Sequence, residues 1–231
     1  MRMLVSVKTV REALLAARGG ADFIDLKDPA QGALGGLPVA TIRAIVTALR
    51  EAGCTLPVSA TIGDFGAHEL AAIMAQVDAV GACGVDYVKV GIARGLGVPA
   101  LLRALADSRW ALVPVFIGDE GIDVAAVAQA CSLHFPALMV DTADKRRGSL
   151  FDALPLTVLR EFVDGVRASG SLVGLAGALR VLDLPRLAAL APDFAGFRSA
   201  VCAGDRAGAL DLALLQALRS SLRRAALAEQ Q

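Results

Sequence analysis

The sequence predicts a single domain, a (β/α)8 TIM barrel that spans residues 1–231. Eight short runs of β-type residues alternate with eight amphipathic segments of helical period. Most of the short runs are wholly apolar, as strands of a parallel sheet covered on both faces should be. The chain also has about the length that eight strand–helix units require.

The elements follow one another without a linker or low-complexity segment, and Gly and Pro cluster at the junctions. Strands are predicted at residues 3–6, 23–26, 57–61, 87–90, 112–117, 138–140, 172–174 and 194–197. Helices are predicted at residues 9–18, 38–52, 67–82, 98–107, 124–131, 155–168, 184–190 and 205–228. An open doubly wound sheet is the alternative, but its first turn should carry Gly-x-Gly-x-x-Gly, and residues 6–10 contain no glycine.

Composition and charge exclude several classes of function. A chain with 55% hydrophobic and 20% charged residues is not disordered. Lys plus Arg and Asp plus Glu both number 23, and no basic patch stands out, so we expect no nucleic-acid partner. The longest apolar stretches, such as residues 111–117, are far too short to cross a membrane, and early charges leave no signal-peptide core. We therefore expect a cytoplasmic protein with no membrane partner.

The cysteines and histidines exclude further chemistry. The four cysteines lie far apart and form no Cys-x-x-Cys pair, which predicts reduced core residues. Only two histidines, His68 and His134, are present. A His-rich metal centre is therefore excluded, and a Ser-His-Asp triad is disfavoured. We therefore expect no metal centre.

The chain has few lysines, and all of them occupy similar positions in the predicted barrel. Of the 23 basic residues, 19 are Arg, and the four lysines are Lys8, Lys27, Lys89 and Lys145. An ammonium group can lose its proton and act as a nucleophile or base, which a guanidinium cannot. All four lie at or just beyond the carboxyl end of a predicted strand, where barrel enzymes have their active sites. Surface lysines would also occur on the outer helices, and none do.

Two carboxylates accompany these lysines. Strand alternation places Asp25 on the same face as Lys27, and Asp141 ends the sixth strand four residues before Lys145. Lysines crowded in a barrel mouth depress one another's pKa, which leaves one amine neutral enough to attack a carbonyl. The aspartates would carry protons or hold the ammonium groups in place, and a purely structural ion pair is the alternative. Lys8 begins a helix, so we interpret it as a solvated side chain.

Small residues after the last two strands predict a phosphate site. Gly174, Ala176 and Gly177 follow strand seven, and Arg198 and Ser199 follow strand eight. Barrel enzymes often bind phosphate there through backbone N–H groups, and Arg198 would add a fixed cation. Ordinary turn chemistry is the alternative for each loop. Arg146 and Arg147 would serve a second phosphate or form a solvated basic loop, and Asp64 is expected to cap a turn or helix.

Four motifs together resemble one family over essentially the whole chain. They are Asp25-Leu26-Lys27-Asp28-Pro29, Val88-Lys89-Val90-Gly91, Asp141-Thr142-Ala143-Asp144-Lys145 and Gly174-Leu175-Ala176-Gly177. The chain resembles the (5-formylfuran-3-yl)methyl phosphate synthases of methanofuran biosynthesis, also called 4-(hydroxymethyl)-2-furancarboxaldehyde-phosphate synthases. The resemblance implies that Lys27 forms a Schiff base and that Lys89, Lys145, Asp25 and Asp141 line the same site. It implies a lyase that condenses two glyceraldehyde 3-phosphates, with no cofactor.

Other functions fit the same residues. A Schiff-base sugar-phosphate aldolase would use the same barrel, lysine and phosphate loops, but its reaction is reversible and makes no furan. Barrel decarboxylases also pair Asp and Lys, but a further acidic residue should follow in their strand-end motif, and here Asp28 is adjacent to Lys27 instead. A phosphate-ligand sensor that had lost its chemistry would form no lysine adduct. The sequence leaves open whether the protein is a homo-oligomer.

Overall fold

The barrel is closed by eight parallel strands in sequential order. The computed structural model describes residues 1–31 and 34–228. The strands are β1 Arg2–Val7, β2 Phe23–Leu26, β3 Val58–Thr61, β4 Tyr87–Ile92, β5 Leu112–Ile117, β6 Ala137–Asp141, β7 Leu172–Leu175 and β8 Phe194–Phe197. Each strand pairs with the next, and β8 pairs with β1 through Arg2 to Val5. The predicted fold class is confirmed.

Helices cover the outside of the barrel. In the described part of the chain they are α1 Val10–Arg18, α2 Val39–Glu51, α3 Leu70–Gly81, α4 Val98–Ala106, α5 Val124–Ser132, α6 Leu150–Ala153, α7 Leu156–Ala168, α8 Leu184–Leu190 and α9 Leu212–Ala228. Among the described residues, no helix combines the length and apolarity that a bilayer span would need. The short helix α6 was not predicted.

The last helix begins later than the predicted residue 205. The Asp211 carboxylate accepts the backbone N–H groups of Ala213 and Leu214, so it caps α9 at its observed start. The preceding residues form a loop in which Gly204 adopts a positive φ of 79°. This loop lies at the carboxyl end of the barrel, because it directly follows β8 and the short 3-10 helix Ser199–Val201.

Two apolar layers stabilise the barrel. The larger layer lies between the sheet and the helices and takes alternate strand residues such as Val5, Ile24 and Val88. The smaller layer fills the barrel itself with the other alternate residues, among them Val115 and Met139. Ile24 packs in the outer layer, between the sheet and the helices. Asp25 and Lys27 alternate with it and face the interior of the barrel, as predicted.

Leu34, which lies between β2 and α2, packs into the mouth of the barrel. Leu34 is 2% exposed and packs with the interior layer. Its backbone N–H donates to the Asp64 carboxylate, which lies beyond β3, at 3.1 Å. Asp64 therefore ties one strand-end loop to another, instead of capping its own turn as expected. This apolar plug closes part of the mouth.

Gly174 lies one layer below the predicted phosphate loop. It is an internal residue of β7, and a Cβ atom there would come within 2.4 Å of the Phe194 ring and 2.8 Å of Met139. It does not line the cavity described below. A glycine is needed here because the neighbouring strand places an aromatic ring inside the narrow barrel.

We predict opposite effects for two Gly→Ala substitutions. Gly174→Ala overpacks the barrel interior and should lower the free energy of unfolding by about 1–3 kcal/mol. Gly165→Ala is the control, since Gly165 is exposed within α7 and an added Cβ would contact nothing within 4 Å. It should raise that free energy by about 0.5–1 kcal/mol. Urea denaturation of both variants measures the difference, and equal effects would contradict the assignment of Gly174 to packing.

Candidate functional site

Five predicted residues meet at the carboxyl end of the barrel. Asp25 and Lys27 come from β2 and its end, Lys89 from β4, Asp141 from the end of β6, and Lys145 from the loop that follows. Lys27, Lys89, Lys145 and Asp25 line one cavity of about 500 Å³. Three of the four lysines of the chain therefore share a site with two carboxylates.

Asp141 binds two of the lysines. Its Oδ2 atom lies 3.0 Å from Lys27 Nζ, and its Oδ1 atom is in close contact with Lys145 Nζ. The backbone N–H of Thr142 also donates to Oδ1, at 2.8 Å. Lys145 Nζ donates in addition to Thr142 Oγ1, at 3.2 Å. One carboxylate thus holds two amines side by side, one from the residue after β2 and the other from the loop after β6.

Asp25 forms the second pair. Lys89 Nζ lies 2.9 Å from Asp25 Oδ1. The Ser59 hydroxyl donates to the same oxygen at 2.7 Å, and the Ser6 hydroxyl donates to Oδ2 at 3.1 Å. Both serines lie on neighbouring strands, and neither was singled out from the sequence. Their signal is weak, because a lone serine within an apolar strand is also compatible with simple packing.

The two carboxyl groups are held ionised. Burial alone would raise the pKa of Asp25, but the charges of Lys89 and Lys27 and the hydrogen bonds from Ser59 and Lys89 bring that pKa below its ordinary value. Burial likewise opposes ionisation of Asp141, and the charges and hydrogen bonds of Lys145 and Lys27 hold its pKa far below the ordinary value. Of the roles considered for these aspartates, their ionisation favours holding ammonium groups over carrying protons.

Lys145 is the amine that can change its charge near neutral pH. Burial lowers the pKa of Lys145, the negative charge of Asp141 opposes this, and the positive charges of Lys27 and Arg206 lower it further. The resulting pKa is about 8. A substantial fraction of this side chain is therefore neutral slightly above neutral pH, which suits a group that takes up and returns protons.

The loops after β7 and β8 form the rim of the cavity. Ala176, Gly177, Ala178 and Ser199 line it. The N–H of Ala176 donates to Val140 O at 2.8 Å, so Ala176 contributes only its small side chain. The N–H groups of Gly177, Ala178 and Ser199 donate to no acceptor within the described residues. The rim therefore contains three backbone N–H groups that have no protein acceptor in the described part of the chain.

Arg198 is engaged within the protein. Its Nη1 and Nη2 atoms donate to the two carboxylate oxygens of Glu12 at 2.6 and 3.0 Å. Its remaining donors bind the carbonyl oxygens of Ser6, Arg206 and Gly208. With all five N–H groups used, the guanidinium has none left for a phosphate. The geometry gives Arg198 a structural role in place of the expected phosphate contact.

Arg206 is the guanidinium that the sequence did not single out. It lines the same cavity from the loop before α9, which the sequence assigned to a helix. Arg198 binds the carbonyls of Arg206 and Gly208, and Lys8 Nζ binds that of Ala207 at 2.7 Å. Lys8 is therefore a tether for this loop, and not solely a solvated side chain.

The other basic candidates lie apart from the cavity. The Arg146 side chain is 94% exposed and pairs with Asp144 at 3.4 Å. Arg147 borders a separate depression near α6. Arg146 also borders the wide outer opening of the site, together with Lys145, Ser199 and Arg206, so both interpretations of this loop stay predictions. Within the ranges that the structure describes, no group of three His, Cys, Asp or Glu side chains is placed to hold a metal ion.

Comparisons with known proteins show the family of this chain. Residues 3–219 match the profile of a family described as 4-HFC-P synthase. A protein of Methylorubrum extorquens is 40% identical over 91% of this chain and 86% of its own length. The (5-formylfuran-3-yl)methyl phosphate synthase of Archaeoglobus fulgidus is 35% identical over 96% of this chain and 99% of its own. That of Methanosarcina mazei is 32% identical over 94% and 97%.

Solved structures share the fold. Phosphoribosyl anthranilate isomerase from Thermus thermophilus superposes with a TM-score of 0.67 at 19% identity, covering 97% of this chain and 99% of its own. 3-Hexulose-6-phosphate synthase from Salmonella typhimurium gives a TM-score of 0.63 at 20% identity, covering 99% of both.

The fold and the site define a barrel enzyme with a lysine–carboxylate centre at the carboxyl end of its strands. The chain belongs to the 4-HFC-P synthase family.

We predict that Arg198→Ala destabilises the protein. Both partners of the Arg198–Glu12 pair are less than 10% exposed, so removal of the guanidinium leaves a buried carboxylate unpaired. The free energy of unfolding should fall by about 3–5 kcal/mol in urea denaturation. Arg206→Ala is the matched control and should stay within about 0.5 kcal/mol of the wild type. A loss below about 1 kcal/mol for Arg198→Ala would contradict a structural role.

Proposed function

We propose that the protein condenses two molecules of glyceraldehyde 3-phosphate into (5-formylfuran-3-yl)methyl phosphate through an imine at Lys27. The observation that carries this proposal is the sharing of two ionised carboxylates by three buried lysines beneath a rim of unpaired N–H groups. The atoms balance, because two C3H7O6P less one H3PO4 and two H2O give C6H7O6P, the formula of the product. The family relationship supports the same product.

The first step forms an imine. Lys27 Nζ attacks the aldehyde carbon of one triose phosphate, a C–N bond forms, and the carbonyl oxygen leaves as water. The protonated imine withdraws electrons, so the adjacent C–H becomes acidic. Loss of that proton gives an enamine. The second triose phosphate loses its C2 proton and expels phosphate from C3, which gives 2-hydroxypropenal, and the enamine carbon then attacks the CH2= carbon of this molecule. Asp141, 3.0 Å from Lys27 Nζ, stabilises the positive charge of the imine.

Lys145 supplies the proton transfers in this proposal. It binds the same carboxylate as Lys27, so its amine lies beside the imine. Its pKa of about 8 lets the neutral amine accept the C–H proton and return it to later leaving groups. Phosphate elimination, ring closure and loss of water each need a proton transfer. The ring closes when a hydroxyl of the added three-carbon unit attacks the imine carbon and displaces the Lys27 amine, and loss of water then completes the furan.

The rim and Arg206 hold phosphate in this proposal. Backbone N–H groups at Gly177, Ala178 and Ser199 have no acceptor within the described residues and border the cavity. Arg206 adds a positive charge on the same side. A phosphate seated there receives several charge-assisted hydrogen bonds. Arg206→Ala, which should leave stability unchanged, is then expected to raise KM for triose phosphate about 10-fold, the loss of roughly 1.5 kcal/mol of binding.

We predict that Lys27 carries the covalent adduct. Incubation with glyceraldehyde 3-phosphate should release inorganic phosphate and produce the ultraviolet absorbance of a furan. Borohydride added during turnover should then reduce the imine and add substrate mass to the peptide that contains Lys27, as read by mass spectrometry. Lys27→Arg should abolish both the adduct and the product, because a guanidinium does not form an imine with a carbonyl.

The same experiment separates the alternatives. An adduct at Lys89 or Lys145 in place of Lys27 would overturn the assignment of the nucleophile. An adduct at Lys27 with reversible carbon–carbon bond formation and no furan would indicate an aldolase. Binding of triose phosphate without any adduct would indicate a sensor.

We predict that Lys145→Arg lowers turnover at least about 100-fold, the lower end of a general acid–base contribution. Arg keeps the charge but raises the pKa beyond about 12, so proton transfer fails while the imine at Lys27 still forms. In the wild type, kcat should rise with pH through about 8 as Lys145 loses its proton. Lys8→Arg, which keeps a donor for Ala207 O, is the control and should change turnover less than about twofold. Normal turnover by Lys145→Arg would show that Lys145 acts only as a fixed positive charge.

A further inference from the structure

Asp119 lies outside the cavity and contacts the loop that carries Lys145. It belongs to the 3-10 helix Gly118–Glu120, which follows β5. Its Oδ1 atom accepts the backbone N–H of Ala143 at 2.6 Å, and its Oδ2 atom accepts that of Asp144 at 2.7 Å. Asp119 does not line the cavity that contains the lysines. Both oxygens of this half-buried carboxylate are thus used on two consecutive peptide groups.

Those two peptide groups directly precede Lys145. The N–H of Thr142, one residue earlier, donates to Asp141. Three successive N–H groups are therefore held by two carboxylates, and the chain turns so that the Lys145 side chain returns over Asp141 and Thr142. Beyond this point the loop is open to water, as the 94% exposed Arg146 side chain illustrates.

Asp119 provides the lateral support of this turn. Among the side chains that the structure describes, it is the only one outside the loop that hydrogen-bonds to the backbone of residues 142–147. The other bonds of that backbone stay within residues 141–147. The position of Lys145 therefore depends on a carboxylate that belongs to the neighbouring strand end.

We infer that Asp119 is a positioning residue, which holds the loop of residues 142–145 so that the Lys145 amine stays beside Asp141 and Lys27. This inference rests on the proposed role of Lys145 in proton transfer. Asp119 itself touches neither the cavity nor the reacting atoms.

Release of the loop changes the surroundings of the Lys145 amine. The charged groups that face it are Asp141 from β6, Lys27 from β2 and Arg206 from the loop before α9. Asp144 and Arg146 flank it on its own loop, and Asp205 lies across the outer opening. Burial is the largest effect on its pKa. An amine that moves into water loses this effect, and its pKa rises from about 8 toward the ordinary value of about 10.4.

An NMR titration tests the inference without any substrate. The chain has four lysines, so each side-chain CH2–N signal can be assigned with one Lys→Arg variant. In Asp119→Ala, the titration midpoint of Lys145 should rise by at least about one pH unit. Asp119→Asn keeps one acceptor and should shift it by less. This second variant also keeps the test decisive if Asp119→Ala does not fold.

Asp123→Ala is the matched control. Asp123 also accepts two backbone N–H groups, those of Ala125 and Ala126, but it caps α5 away from the lysines. Its removal should leave the Lys145 midpoint unchanged. If Asp119 merely supported folding, Asp119→Ala and Asp123→Ala would both lose stability, and neither would change the titration midpoint of Lys145.

Activity measurements separate this inference from the proposed function. In Asp119→Ala the rise of kcat with pH should move to higher pH together with the titration midpoint of Lys145. An unmoved midpoint in folded Asp119→Ala and Asp119→Asn would overturn the inference, even if the wild type makes the furan. A shifted midpoint with no furan from the wild type would instead overturn the proposed function and leave the positioning role intact.

Discussion

The ion pair between Asp141 and two lysines is the constraint on which the rest of the site depends. The side chains of Asp141, Lys27 and Lys145 are each less than 10% exposed, so three charges have been removed from water. Burial of this kind is unfavourable unless the partners are close and their remaining polar atoms are paired. The backbone N–H and hydroxyl of Thr142 complete the pairing. Geometry this demanding explains why the pair lies at strand ends, where the backbone is rigid.

The barrel divides its roles between strands and loops. Asp25, Lys89 and Asp141 lie on strands, and Lys27 directly follows one, so the nucleophile and the fixed charges come from the rigid part of the fold. Lys145 and Arg206 come from loops, which suits groups that must accept protons or admit phosphate. Side chains outside the cavity hold these loops, with Asp119 beside Lys145, and Arg198 and Lys8 beside Arg206. A precise site thus needs a supporting set of contacts that never touches substrate.

The interior apolar layer limits the space below the charges. Leu34 enters from the loop after β2, and Gly174 leaves room for the Phe194 ring inside the barrel. Apolar surroundings of this kind strengthen the electrostatic interactions of the charges that border them. Burial is the largest cause of the lowered pKa of Lys145, and the positive charges of Lys27 and Arg206 lower it further.

The sequence by itself determined the barrel and the central residues. Strand periodicity placed Asp25 and Lys27 on one face, and the exclusion of lysine from the helices marked Lys89 and Lys145, because both signals are local or compositional. It could not determine which charges pair. Arg198 and Glu12 are 186 residues apart, and only the closing of β8 against β1 shows that Arg198 is already engaged. The roles of Arg206 and Asp119, and the packing role of Gly174, were likewise decided by tertiary contacts, since a residue's partners across a barrel leave no trace in its neighbouring sequence.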